Sequence, residues 1–237
     1  MMITIPQIKF RSRGFSAVFV ALLLTTFSLG AVAHAASIRF LPLSEEFAER
    51  KIGLQDGSKL TSLVDINVRK RTKAYACKFG AKPLALVALD RERPNGKPSA
   101  VEIVVPPAMK SPLVLILESP DHPSGMRTIV IEDDSGDFLW GSLRFINTTE
   151  KPLVIRYENS TKAIPAQLKP IDVVLAGEAR NIGIQFSSEA DPNTILYSAV
   201  WEHDPNLRKL VLITGQVDPS RKELKLGIIP QDRRVKD

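Results

Sequence analysis

Apolar residues fall in short runs separated by Pro, Gly, Asn and Asp along most of the chain. The runs are Leu84–Leu89, Val101–Val105, Leu113–Leu117, Thr128–Ile131, Leu143–Ile146, Leu153–Tyr157, Ile171–Leu175, Ile182–Phe186, Ile195–Trp201, Leu210–Ile213 and Leu224–Ile229. They are rich in β-branched residues, about five residues long and regularly spaced, which is how an antiparallel β-sandwich reads. The 17 prolines point the same way, because proline removes a backbone donor and interrupts helices. Only Ser44–Ile52 has helical character, with a Ser cap, early acids and late bases, so one short helix or turn is expected there. The predicted fold class is all-β.

Four segment pairs recur in the same order. KPLALVALD at Lys82 resembles KPLVIRYEN at Lys151, and VEIVV at Val101 resembles IDVVL at Ile171. LVLILESPDHP at Leu113 resembles IGIQFSSEADP at Ile182, and IVIEDD at Ile129 resembles AVWEHD at Ala199. A shared offset of about 70 residues suggests an internal duplication. It predicts two similar Ig-like modules, at residues 60–138 and 139–229, after an entry segment at 36–59 and before a tail at 230–237. Whether they are separate or share one sandwich is open at this stage.

The N-terminus changes the picture of where the chain goes. Lys9, Arg11 and Arg13 precede an apolar run from Phe15 to Ala33, and Ala33-His34-Ala35 has the small-x-small form of a signal-peptidase site. Residues 1–35 therefore read as a signal peptide cut near Ala35, leaving a secreted or periplasmic chain with no stable membrane insertion. Its removal lowers the formal charge from +6 to +3, too little to suggest nucleic-acid binding. With Cys77 as the one cysteine, no internal disulfide can form and stability must come from a core. Cys77 lies among aromatics without a nearby base and reads as a buried apolar residue.

Candidate chemistry is sparse. Glu202, His203 and Asp204 stand side by side, but strand alternation sends neighbours to opposite faces. Their place corresponds to Glu132-Asp133-Asp134 in the first half, and both triplets run into turn residues, DSG and DPN. They read as polar hairpin elbows, which makes His203 dispensable. Weak metal candidates are Asp133, Asp134, Glu202 and Asp204, with Glu132 added for calcium. No GxSxG, P-loop or dinucleotide fingerprint occurs, and no cofactor is expected. The run Val68–Lys82 mixes Arg69, Lys70, Arg71, Lys73, Lys78 and Lys82 with Tyr75 and Phe79. Bases interleaved with aromatics can hold an anionic polymer, although lysines also guard strand edges. Trp140 and Trp201 read as core anchors that could stack on sugars if exposed. Candidate binding residues are thus Trp140, Trp201, Arg69, Lys70, Arg71, Lys73 and Tyr75. Asn147 and Asn159 head Asn-x-Ser/Thr sequons, which matter only in a eukaryotic secretory path.

Three stretches resemble an uncharacterised family of exported bacterial proteins: IEDDSGDFLWGSLRFIN from Ile131, YSAVWEHDPNLRKLVLI from Tyr197, and the tail RKELKLGIIPQD. The resemblance covers about residues 60–230 and implies a secreted β-rich protein without specifying an activity. The expected function is non-catalytic binding of an envelope protein, wall polymer or glycan. The alternatives are a secreted hydrolase using turn carboxylates and a periplasmic chaperone-like module that lends a strand edge.

Overall fold

The protein's computed structural model describes residues 34–79, 83–92, 96, 98–215 and 224–235. The expected signal peptide, residues 1–33 of which are not described, falls outside them up to His34. The described chain is all-β. Its first half comprises β1 (His34–Pro42), β2 (Ile52–Asp56), β3 (Lys59–Ser62), β4 (Tyr75–Phe79), β5 (Leu84–Glu92), β6 (Pro98–Ile103), β7 (Pro112–Glu118) and β8 (Met126–Glu132). The second comprises β9 (Ser142–Asn147), β10 (Leu153–Tyr157), β11 (Ser160–Ile164), β12 (Ile171–Val174), β13 (Arg180–Ser188), β14 (Ile195–His203), β15 (Leu207–Thr214) and β16 (Lys225–Asp232). The expected helical turn is a single 3-10 turn at Glu45–Ala48, capped by the Ser44 hydroxyl, which accepts from the Glu46 amide.

The halves are two sandwiches of the same topology. Sheets β4-β1-β7-β8 and β3-β2-β5-β6 form the first; β12-β9-β15-β16 and β11-β10-β13-β14 form the second. Adding eight to each strand number of the first sandwich gives the second. All pairings are antiparallel except β1–β7 and β9–β15. The duplication is therefore present, but its register differs from the sequence expectation. β2 and β10, or β5 and β13, lie about 100 residues apart, not about 70. The four look-alike segments join β5 to β10, β6 to β12, β7 to β13 and β8 to β14, none of which are equivalent. The matching sequences are IRFL at Ile38 with LRFI at Leu143, and LVLI at Leu113 with LVLI at Leu210. The stretch 36–59, expected as an entry segment, holds most of β1, the 3-10 turn and β2, and so belongs to the first sandwich.

Three apolar layers show how the four sheets stack. Phe40, Val114 and Ile116 meet Ile52, Leu54 and Leu86 inside the first sandwich. Phe145 and Val211 meet Ile155, Ile184, Phe186 and Trp201 inside the second. Between the sandwiches, Leu41, Leu113, Leu115 and Ile131 pack on Ile146, Leu210, Leu212 and Ile229. The two inner sheets are thus covered on both faces. That is why the LVLI segments of β7 and β15 read as unbroken apolar runs while the outer strands alternate. Within LVLI, the odd positions Leu113 and Leu115 face the partner sandwich and the even positions Val114 and Ile116 face their own core.

Candidate functional site

The segment Glu132–Trp140 joins the sandwiches and forms the rim of their seam. The Glu132 carboxylate accepts from four backbone amides, those of Lys110, Ser111, Asp133 and Asp134 (2.8–3.1 Å). Asp134 accepts from the Gly136 amide at 3.1 Å, closing the expected Asp turn. These bonds fix the elbow and point Asp133 inward. Arg71 donates to both oxygens of Asp133, at 2.7 and 2.9 Å, with the two side chains 6 % and 4 % exposed.

Arg208 crosses from the second sandwich. It donates to the carbonyls of Asp133 and Phe138 (both 2.9 Å) and to the Gln231 side-chain oxygen (2.9 and 2.7 Å). Its guanidinium lies 4.9 Å from the ring centroids of both Phe138 and Trp140. Arg144, on β9, grips Asp172 with two bonds of 2.7 and 2.6 Å and donates to the Glu132 carbonyl. It sits 4.6 Å from the Phe138 ring centroid. Buried Phe138 is thus contacted by two guanidiniums, an arrangement that combines ring–cation attraction with satisfied hydrogen bonds. Burial pushes the Arg208 pKa down, Asp133 opposes this, and Arg71, Arg144 and Arg39 add to it.

Two cavities open along this seam and share Arg39 and Gln231. The smaller, about 270 Å³, is polar and includes Ser37, Ser111, Ser135, Trp140 and Arg208 in its lining. The larger, about 730 Å³, is lined by Arg39, Lys70, Arg71 and Lys73 together with apolar Leu207, Pro230 and Val235. Two acids also line it, Asp65 and Asp232, and Asp232 is held by Arg234 at 2.6 Å. Arg234 holds the Asp232 carboxyl below its ordinary range.

The structure sorts the candidate binding residues. Lys70 and Lys73 are exposed in the larger cavity, and half-buried Trp140 lines the smaller one. Arg69 is exposed in a turn where its amide donates to Asn67, and it lines neither cavity. Arg71 lines the larger cavity, but Asp133 holds its guanidinium in the ion pair. Tyr75 is buried against Phe40, its hydroxyl accepting from the Val64 amide at 2.9 Å. Trp201 is buried in the second core and donates to the Tyr197 hydroxyl at 3.3 Å. Strand alternation turns both rings inward, so neither can stack on a ligand. Lys82 lies outside the described residues.

The carboxylates do not converge. Asp133 is held by Arg71, Asp134 closes its turn, and Glu202 is exposed on β14. Asp204 accepts from the Asn206 amide at 2.8 Å and from Arg234 at 3.1 Å, bonds that hold its carboxyl below the ordinary range. Among the described residues, no group of three or more His, Cys, Asp or Glu side chains could hold a metal ion. His203 differs from the elbow expectation. Its ring is 4 % exposed, because it continues the inward row of Tyr197, Ala199 and Trp201. His122 lies 2.7 Å from the Ser124 hydroxyl, but Ser124 is fully buried and that hydroxyl donates to the Met126 carbonyl. Asn147 is buried and its side chain bonds Thr149 and Lys151, so that sequon is closed, whereas Asn159 is exposed.

Sequence reading missed the arginines of the second half, Arg144 and Arg208. Their signal was present: Arg144 stands between apolar Leu143 and Phe145 and is buried, as is Arg208 two residues before the apolar run Leu210–Ile213. No protein-family model matches the chain, and no curated protein matches its sequence.

Proposed function

We propose that this is an exported, non-catalytic binding protein whose seam groove holds an anionic polymer, an acidic glycan or wall polymer. The observation that carries the reading is the larger cavity, where Lys70 and Lys73 stand exposed beside Arg39. Such lysines can follow a flexible charged chain, and a groove between low-dielectric walls concentrates their field. Trp140, in the adjoining cavity, adds a ring edge beside which a sugar can sit. The elbow carboxylates favour binding over hydrolysis, since Asp133, Asp134 and Asp204 are each engaged in local structure.

Calorimetric titration with an acidic polysaccharide and with its neutral counterpart tests the reading. Binding to the acidic polymer should weaken as salt rises. Lys70→Ala and Lys73→Ala should each weaken it about tenfold, the loss of roughly one charge-assisted hydrogen bond. Equal binding of the neutral polymer, or full affinity in the double variant, overturns it.

A further inference from the structure

The two seam cavities differ in charge. The lining of the smaller holds two cations, Arg39 and Arg208, and two acids, Asp133 and Asp134, which cancel. The larger sets four cations against two acids and keeps a positive excess. They share Arg39 and Gln231, so one ligand can reach into both. A charged group is drawn to the larger cavity by the field of that excess, whereas no net charge draws one into the smaller.

The smaller cavity provides hydrogen bonding instead. Ser37, Ser111, Ser135 and Trp140 line it, and among the described residues neither the three hydroxyls nor the indole N–H bonds another protein group. Asp134 accepts from the Gly136 amide with one carboxylate oxygen and keeps the other open. Arg208 lies over the Trp140 ring, 4.9 Å from its centroid, and fixes that ring at the cavity wall. A serine hydroxyl donates and accepts, the indole only donates and the carboxylate only accepts, a set that matches the hydroxyls of a sugar. The volume, about 270 Å³, is below that of a drug-sized pocket and suits one sugar ring.

The duplication supplies an internal control. Arg39 on β1 pairs with Leu113 on β7 as Arg144 on β9 pairs with Leu210 on β15. Ser37 is therefore equivalent to Ser142, and Ser111 to Arg208. In the second sandwich both places are closed. Ser142 is buried and its hydroxyl donates to the Leu139 carbonyl at 2.5 Å, while Arg208 holds two carbonyls and Gln231. In the first, Ser37 is exposed and Ser111 half-buried, with both hydroxyls open. The scaffold thus has a way to close these positions and leaves them open on one side only.

We infer that the smaller cavity is a subsite for one uncharged sugar ring, so that the groove selects a mixed glycan in which an uncharged sugar adjoins an acidic one. This rests on the seam groove being the polymer site. The acidic residue lies by Lys70 and Lys73, and its uncharged neighbour reaches past Arg39 to the serines and Trp140.

Tryptophan fluorescence of the purified protein tests it, because Trp201 is buried in the second core and a ligand in the seam acts on Trp140. The probes carry equal numbers of carboxylates. Fragments of hyaluronan and of unsulfated chondroitin alternate a uronate with an uncharged N-acetyl sugar, and oligogalacturonate is acidic throughout. The alternating probes should shift the emission and bind about tenfold tighter than oligogalacturonate, the gain of roughly two neutral hydrogen bonds. Ser37→Ala with Ser111→Ala should abolish that preference and leave both the oligogalacturonate affinity and the melting temperature unchanged, since neither hydroxyl holds a protein group. Lys70→Ala should weaken both classes alike. The preference should persist at high salt, which screens charge and spares neutral hydrogen bonds. Oligogalacturonate binding as tightly as the alternating probes overturns the inference and leaves the groove reading standing, as does a serine variant that keeps the preference or weakens both classes alike. Binding of neither class overturns the groove reading and the inference with it.

Discussion

Replacing Asp133 by Asn tests the seam most directly. The substitution keeps the side chain's volume, so no cavity contributes to its effect. It removes the charge that receives two bonds from Arg71 and that lies 4.0 Å from Arg208. Both members of the Arg71 pair are almost fully buried. Removing one partner of such a pair leaves an uncompensated buried charge and costs about 3–5 kcal/mol. At about 2–4 °C per kcal/mol for a domain of this size, the melting temperature should fall by about 6–20 °C. The double variant Arg71→Met with Asp133→Leu removes both charges of the pair and should recover part of the loss, because an apolar pair of similar volume is close to neutral while Arg208 still loses its nearby carboxylate. Urea unfolding of the wild type, of Arg71→Met and Asp133→Leu singly, and of the double variant yields the coupling energy. A loss below about 1 kcal/mol for Asp133→Asn, the range of a solvent-exposed pair, refutes the account, as does strict additivity.

Three further outcomes are expected. Burial, with a smaller contribution from Asp56, pushes the Cys77 pKa up from 9.0 to about 11. The unfolded thiol therefore ionises first, so its contribution to stability is complete below pH 9 and is lost as pH rises towards 11. Cys77→Ala should flatten that part of a stability–pH curve, and a thiol reagent at neutral pH should leave the native protein unmodified. His203→Ala should lower stability by about 1–3 kcal/mol in urea unfolding, because it empties a buried site and strands the Gly177 carbonyl 3.4 Å from the ring nitrogen. Gly141→Ala should destabilise through backbone strain at φ +80° and through its approach to His203 Cε1 at 3.3 Å, read as a lower melting temperature.

Each of the eleven apolar runs found in the sequence overlaps a strand, because each buries at least one face. The strands left unread had other signals over them. β3 and β11 are mostly exposed hairpin strands with polar sequences, KLTS and STKAI, and carry almost no apolar pattern. β1 opens with small residues next to an expected cleavage site, and β4 was masked by the lysines around it. The duplication was misaligned because outer strands with alternating patterns resemble one another locally. Its clearest trace is the repeated LVLI, at Leu113–Ile116 and Leu210–Ile213. For the site, charge clustering along the chain pointed to Lys70 and Lys73. The pairing of Arg71 with Asp133, and of Arg208 with the Phe138 carbonyl, spans 62 and 70 residues. No local pattern encodes contacts of that range, and Tyr75 and Trp201 were separable from exposed aromatics only through the register of their strands.

The parallel pairing of β1 with β7 constrains how the chain can be made. β1 lies between β4 and β7, and its Arg39–Pro42 half matches Leu113–Ile116. A polypeptide emerging N-terminus first, from a ribosome or a translocation pore, holds residues 39–42 for some seventy residues before their partner appears. Until then the first sandwich has no complete inner sheet, and the second has nothing to stack against. The chain should thus stay pliable through roughly the first half of its synthesis or passage, and set only when β7 arrives.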